Sequence, residues 1–149
     1  MSQSRLPALP CMCGNVRRTS RALAQCYEQT LRPFGLRATQ FTILQMLSLA
    51  GEVSQGRLGE MLAMDSTTLT RTLKIMVRQG WIGERRGKDR RERWLGLAKA
   101  GKTQLNRALP AWEELQSRLR KQLGEQQWKN LLQVTNEVTE LVTAQRGPL

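Results

Sequence analysis

Between Asp65 and Leu97 the chain reads DSTTLTRTLKIMVRQGWIGERRGKDRRERWLGL, and no other stretch limits the fold so narrowly. Leu69, Leu73, Met76 and Val77 recur at i, i+4, i+7 and i+8, the spacing of one buried helix face, while Thr67, Thr70, Arg71, Lys74 and Arg78 populate the rest of the surface. Asp65 or Ser66 can cap this helix, and Gly80 ends it. Trp81 and Ile82 begin an extended run in which Glu84 to Arg86 and Glu92 to Leu97 read as paired strands, joined by a loop from Gly87 to Arg91. That loop is too basic to bury. From Arg71 to Arg93, nine basic residues are opposed only by Glu84, Asp89 and Glu92, so half of the net charge of +12 sits in under a sixth of the chain.

The sequence just upstream gives this helix a partner. Thr39 can cap a helix whose buried face includes Phe41, Leu44 and Leu47 and which Gly51 stops. Ser54 caps a short helix with Leu58, Met61 and Leu62 inward, and Ala63, Met64 and Asp65 form a tight turn. A short helix, a short turn and a longer helix with a Thr/Arg/Lys outer face make a helix-turn-helix. A hairpin after such a helix is a wing, whose arginines reach the adjacent minor groove where narrow A·T-rich geometry concentrates negative potential.

The flanks are helical as well. Gly14 to Leu31 places Val16, Ser20, Leu23, Tyr27 and Leu31 at helical spacing before Pro33 and Gly35 break it. After Lys99, Leu105, Leu109, Trp112, Leu115, Leu119 and Leu123 form one stripe, with a kink or a fresh start expected at Pro110. Beyond Gly124, Trp128, Leu131, Leu132, Thr135, Val138 and Val142 form another. The two stripes after Lys99 have little of the winged unit left to cover, so packing against a second copy is the simplest solution, with Trp112 and Trp128 as dimer-core anchors. The expected fold is mainly α with a small β-hairpin wing: a winged helix-turn-helix over residues 35–98 flanked by helical segments over 1–34 and 99–149.

Strong positive charge favours a polyanionic partner, because neutralising phosphates releases counterions. No basic amphipathic helix with an aromatic apolar face stands out, and no apolar run approaches the roughly 18 to 20 residues that span a bilayer, so no membrane partner is expected. Met1 to Pro10 carries Arg5 and no hydrophobic signal core, which makes the cytoplasm the expected compartment. There is no histidine, no phosphate-cradling glycine motif and no metal-ligand spacing beyond a cysteine pair, so neither an enzyme nor a cofactor is expected.

The pattern resembles the MarR family of transcriptional regulators. The matching pieces are the helix entry Ser66-Thr67-Thr68-Leu69-Thr70-Arg71, the exit Gly80-Trp81-Ile82, the D-x-R wing Asp89-Arg90-Arg91, and Leu95-Gly96-Leu97-Ala98-Lys99-Ala100-Gly101, similar to L-x-L-T-x-x-G. Ala98 replaces the usual Thr, which weakens the cap of the following helix. The resemblance implies a homodimer with winged helix-turn-helix lobes, residues 35–98 being the DNA-binding region, and a helical dimerisation region made from the N- and C-terminal helices, 1–34 and 99–149. It further implies a repressor of nearby genes on a palindromic operator, released by a small, often aromatic acid or by cysteine oxidation. A non-specific architectural DNA- or RNA-binding protein is the competing function, for which basic charge alone would suffice.

On duplex DNA the expected contacts are Ser66, Thr67, Thr68, Thr70, Arg71, Lys74 and Arg78 from the helix, and Arg86, Lys88, Asp89, Arg90, Arg91 and Arg93 from the wing. Thr67, Thr70, Arg71 and Lys74 face the major groove, where Thr meets a thymine methyl or phosphate and Arg pairs with guanine. Arg91 is the minor-groove residue, with Asp89 holding its guanidinium, and Arg86, Lys88, Arg90 and Arg93 meet phosphates.

Cys11, Cys13 and Cys26 are the chain's three cysteines, and they carry three open readings. Cys13 precedes Tyr27 by fourteen residues, similar to the spacing of a peroxide-sensing cysteine and a tyrosine in the family's organic-hydroperoxide repressors, and Arg17 and Arg18 lie where they can stabilise a thiolate. Thiolates also capture a thiophilic metal or metalloid, though a continuous helix would hold Cys13 and Cys26 about 20 Å apart, leaving Cys26 to join only across a dimer. In the third reading all three are small apolar residues at a packed N-terminus.

Overall fold

The computed structural model describes residues 6–145; residues 1–5 and 146–149, at the outer ends of the expected dimerisation region, lie outside the described residues. Six helices and a three-stranded antiparallel sheet follow the order α1 (Met12–Leu31), α2 (Ala38–Ala50), β1 (Val53–Ser54), α3 (Gln55–Leu62), α4 (Ser66–Arg78), β2 (Ile82–Arg86), β3 (Arg93–Leu97), α5 (Lys99–Leu123) and α6 (Glu125–Ala144). The sheet order is β1-β3-β2.

α1 starts at Met12, two residues before the expected Gly14, and closes in a 3-10 turn, Arg32–Phe34. Gly35 ends that turn in the left-handed region at φ 70°. α2 starts one residue ahead of Thr39, which is therefore not its cap. The orphan N–H groups there find other acceptors: Gln40 Oε1 takes the Arg37 N–H at 3.0 Å, and Glu28 Oε1, reaching over from α1, takes the Ala38 N–H at 3.0 Å. Ser54 does cap α3, accepting from the Arg57 N–H at 3.2 Å.

The core lies under the helix-turn-helix. Leu31, Leu36, Phe41, Ile43, Leu44, Leu47, Leu58, Leu69, Leu73, Met76, Ile82 and Leu95 are buried together, joined by Leu105 and Ala108 of α5. Burying each of the larger side chains among them contributes about 1.5–3 kcal/mol against the entropy of ordering it.

Two expectations change. Val53 and Ser54 pair with Leu95 and Trp94, adding a third strand where only a hairpin was expected. Pro110 neither breaks α5 nor starts a new helix; it is exposed, so the carbonyl of Asn106, which loses its helical donor, faces water rather than the core. Trp112 packs on Phe41 of its own chain with ring centroids 5.7 Å apart.

α6 buries none of its residues in this chain, and Leu131, Leu132, Val134, Leu141 and Val142 stand exposed along it. Met12, Val16 and Leu23 of α1 are exposed too. Between α1, α2, α5 and α6 runs an apolar groove of about 530 Å³, lined by residues that include Val16, Leu23, Tyr27, Phe41, Trp112 and Leu131.

Candidate nucleic-acid interface

α4 turns its Leu69, Leu73 and Met76 face into the core and leaves Ser66, Thr67, Thr68, Thr70, Arg71, Lys74 and Arg78 exposed. Its first turn is fixed by Asp65, whose Oδ1 accepts the Thr68 N–H at 2.8 Å. That bond, with the Thr68 side chain as the leading cause, holds the Asp65 carboxyl below its ordinary range. Ala63 makes the turn from α3 in the left-handed region at φ 49°, a conformation uncommon for a residue with a β-carbon.

The wing pairs Ile82 with Leu97 through Arg86 with Arg93. Its tip, Lys88 to Glu92, is exposed. Asp89 Oδ1 accepts the backbone N–H of Arg91 at 2.9 Å, and the Asp89 carbonyl accepts from the Glu92 N–H at 2.9 Å. This corrects the expected Asp89–Arg91 side-chain pair: a short Asp side chain reaches the N–H two residues on and builds an Asx-turn, leaving the Arg91 guanidinium to project outward.

The other wing cations differ in how far they are committed. Arg86 Nη1 donates to the Arg90 carbonyl at 3.3 Å. Arg93, expected at phosphates, is ion-paired with Glu84 diagonally across the hairpin, donates to Gln55 Oε1 at 3.2 Å, and has only 23% of its side chain exposed. Lys88, Arg90 and Arg91 form no ion pair among the described residues.

Two residues at the base of the wing were not anticipated from sequence. Glu52 takes a bidentate pair from Arg85, at 2.6 and 2.9 Å, and Arg85 also lies over the Trp94 ring at 5.2 Å. The pairing lowers the Glu52 carboxyl and raises the Arg85 guanidinium. Gln55 bridges wing and helix, donating to Thr70 Oγ1 at 2.9 Å while accepting from Arg93. Neither carries a local signal, because their partners lie 15 to 38 residues away.

The thiols stand apart from this surface. Cys11, just ahead of α1, and Cys13 within it are exposed, Cys26 is half-buried further along the same helix, and no three Cys, His, Asp or Glu side chains converge among the described residues. Tyr27 donates its hydroxyl to Gln116 Oε1 at 2.5 Å; burial, and secondarily Cys26, raises its pKa. Arg18 is engaged with the Pro7 carbonyl and Asn15 Oδ1.

A helix-turn-helix whose second helix is exposed on one side and is followed by a cationic hairpin defines the winged helix-turn-helix class. The MarR family profile matches residues 36–92. The transcriptional regulator MosR of M. tuberculosis, solved in complex with DNA, is 32% identical and superposes with a TM-score of 0.82 over 91% of this chain and 98% of MosR. YwoH of Bacillus subtilis, an uncharacterized HTH-type transcriptional regulator, is 32% identical over 84 residues, 56% of this chain; the match spans 61% of YwoH. A mutant of MarR from E. coli complexed with operator DNA shares the fold at TM-score 0.76 and 21% identity, over 85% of this chain and 92% of that one. The chain belongs to the MarR family of transcriptional regulators, which are not enzymes. Among the described residues no helix is long and apolar enough to cross a membrane.

Proposed function

We propose that this regulator binds duplex DNA as a homodimer and represses nearby genes from a palindromic site. The observation that carries the reading is the joint exposure of the α4 face, Thr67, Thr70, Arg71 and Lys74, and of the uncommitted wing-tip cations Lys88, Arg90 and Arg91. In this reading α4 enters the major groove, Arg91 enters the adjacent minor groove, and Arg86, Lys88, Arg90 and Arg78 neutralise phosphates. Residues 35–98 are the DNA-binding region. The likeness to MosR, a regulator solved on DNA, supports it. A DNA partner puts this action in the cytoplasm.

The dimer is formed by α1 with α5 and α6. The exposed Leu132, Leu141 and Val142 of α6 and Val16 of α1 supply an apolar face that a second copy covers, and the two-fold axis matches a palindrome. Release follows uptake of a small aromatic ligand in the apolar groove beside Tyr27 and Trp112. The exposure of Cys11 and Cys13 favours a second release route, through oxidation or a thiophilic metal or metalloid.

Footprinting on DNA flanking the protein's own gene tests the reading. A symmetric protected site is expected, and diffuse protection would favour a non-specific architectural protein. Repeating it with an aromatic acid, a hydroperoxide and arsenite separates the release routes.

A further inference from the structure

We propose that Gln55 is a positioning residue that fixes the Thr70 hydroxyl as a hydrogen-bond donor toward DNA. Gln55 opens α3, between wing and recognition helix, with Nε2 donating to Thr70 Oγ1 and Oε1 accepting from Arg93 Nη1. An amide can be turned over, exchanging its donor and acceptor ends. Here the guanidinium forbids it, because Arg offers donors only. Arg93 is itself held in place by Glu84. Polarity is therefore transmitted from the Glu84 carboxylate through Arg93 and Gln55 to the Thr70 oxygen.

A hydroxyl has one proton and two lone pairs. With its oxygen accepting from Gln55, Thr70 has its proton left to give. Threonines within helices commonly spend that proton on the carbonyl four residues back. Thr72 does so with Thr68, as do Thr42 with Ala38 and Thr103 with Lys99. Thr70 makes no such bond among the described residues and is exposed. Its proton suits an acceptor: a phosphate oxygen, or guanine N7 or O6, adenine N7 or thymine O4 in the major groove.

This assignment rests on the DNA-binding reading above. Its test is a double-mutant cycle with Gln55→Met and Thr70→Val, each protein titrated at one salt concentration onto a duplex carrying the footprinted site and onto a random duplex of equal length, with Tm measured alongside. Each single change is expected to weaken binding to the site about five- to tenfold, and the double to bind no more weakly than Thr70→Val alone. The same losses on the random duplex assign a phosphate as the acceptor, and losses confined to the site assign a base edge. Gln55→Met binding like the parent, or losses that multiply in the double, overturn the assignment.

Gln55→Glu provides a second handle that keeps an acceptor for Arg93 but presents another to Thr70, reversing the hydroxyl. Its loss is expected to be larger with Thr70 present than with Thr70→Val, on the site alone where the acceptor is a base edge and on both duplexes where it is a phosphate; an equal loss in both backgrounds overturns the assignment. A parent that binds both duplexes alike overturns the site-specific reading itself, an outcome read before any variant is compared.

Discussion

Gly101 packs against Trp81 so closely that a β-carbon on Gly101 would overlap the Trp81 carbonyl oxygen and lie 2.9 Å from its carbon. The same carbonyl accepts the Ala98 N–H at 3.0 Å, just ahead of α5. Ala98 itself offers no side-chain cap, so the entry of α5 depends on this close approach of the helix to the residue just ahead of β2. It joins the winged unit to the long helix. Gly101→Ala forces backbone apart and is expected to cost about 1–3 kcal/mol in a urea titration, far more than a Gly→Ala change in a free helix, which stabilises.

Asp65 makes stability depend on pH. Its folded pKa is depressed by the Thr68 bonds, so its contribution is complete above the unfolded value and is lost as pH falls through the folded one. Asparagine keeps the cap without the titration. The stability advantage of the parent over Asp65→Asn is expected to shrink as pH falls from about 5 to about 3, because Asp titrates near 4 when unperturbed. Glu52 and Glu125, also depressed, are common to both proteins and cancel from that difference.

Much of this was legible in the sequence because it depends on neighbours three or four residues apart. The 3.6-residue spacing of Leu69, Leu73 and Met76 located the buried face of α4 and therefore its exposed one. Gly80 and the turn-rich tip located the hairpin. Period arguments fail where an element is too short to show one, as with the two residues of β1, or where proline's cost is met by solvent, as at Pro110. They also fail across space. Asp89 was recognisable as a wing residue, but not that it would hold the Arg91 N–H instead of its guanidinium. Glu52 and Gln55 acquire their roles only when α2, α3 and the wing come together.

The unpartnered face of α6 gives a prediction about assembly. Leu132 is 56% exposed in the single chain. A charge there is tolerable in a monomer and costly when buried at an interface without a partner. Leu132→Glu is therefore expected to keep its helical circular dichroism while light scattering reports a monomer; a dimer of unchanged stability would place the interface elsewhere.

Arg91 projects from a turn that its own side chain does not build, since Asp89 holds the backbone. Arg91→Ala is expected to leave fold and dimer intact and weaken site binding about tenfold, the loss of one minor-groove arginine. Asp89→Ala frees the turn as well, and is expected to weaken binding despite removing a negative charge from a cationic wing. Stronger binding by Asp89→Ala would mean that charge alone sets affinity.

The central claim is that α4 and the wing together read a defined DNA site. It is tested most directly by fluorescence-anisotropy titration of the parent protein onto the footprinted duplex and a random duplex of equal length, at one physiological salt concentration. A preference of about a thousandfold or more is predicted for the site. Equal affinity for the two, falling together with salt at a slope of roughly −0.9 per neutralised phosphate, would contradict it.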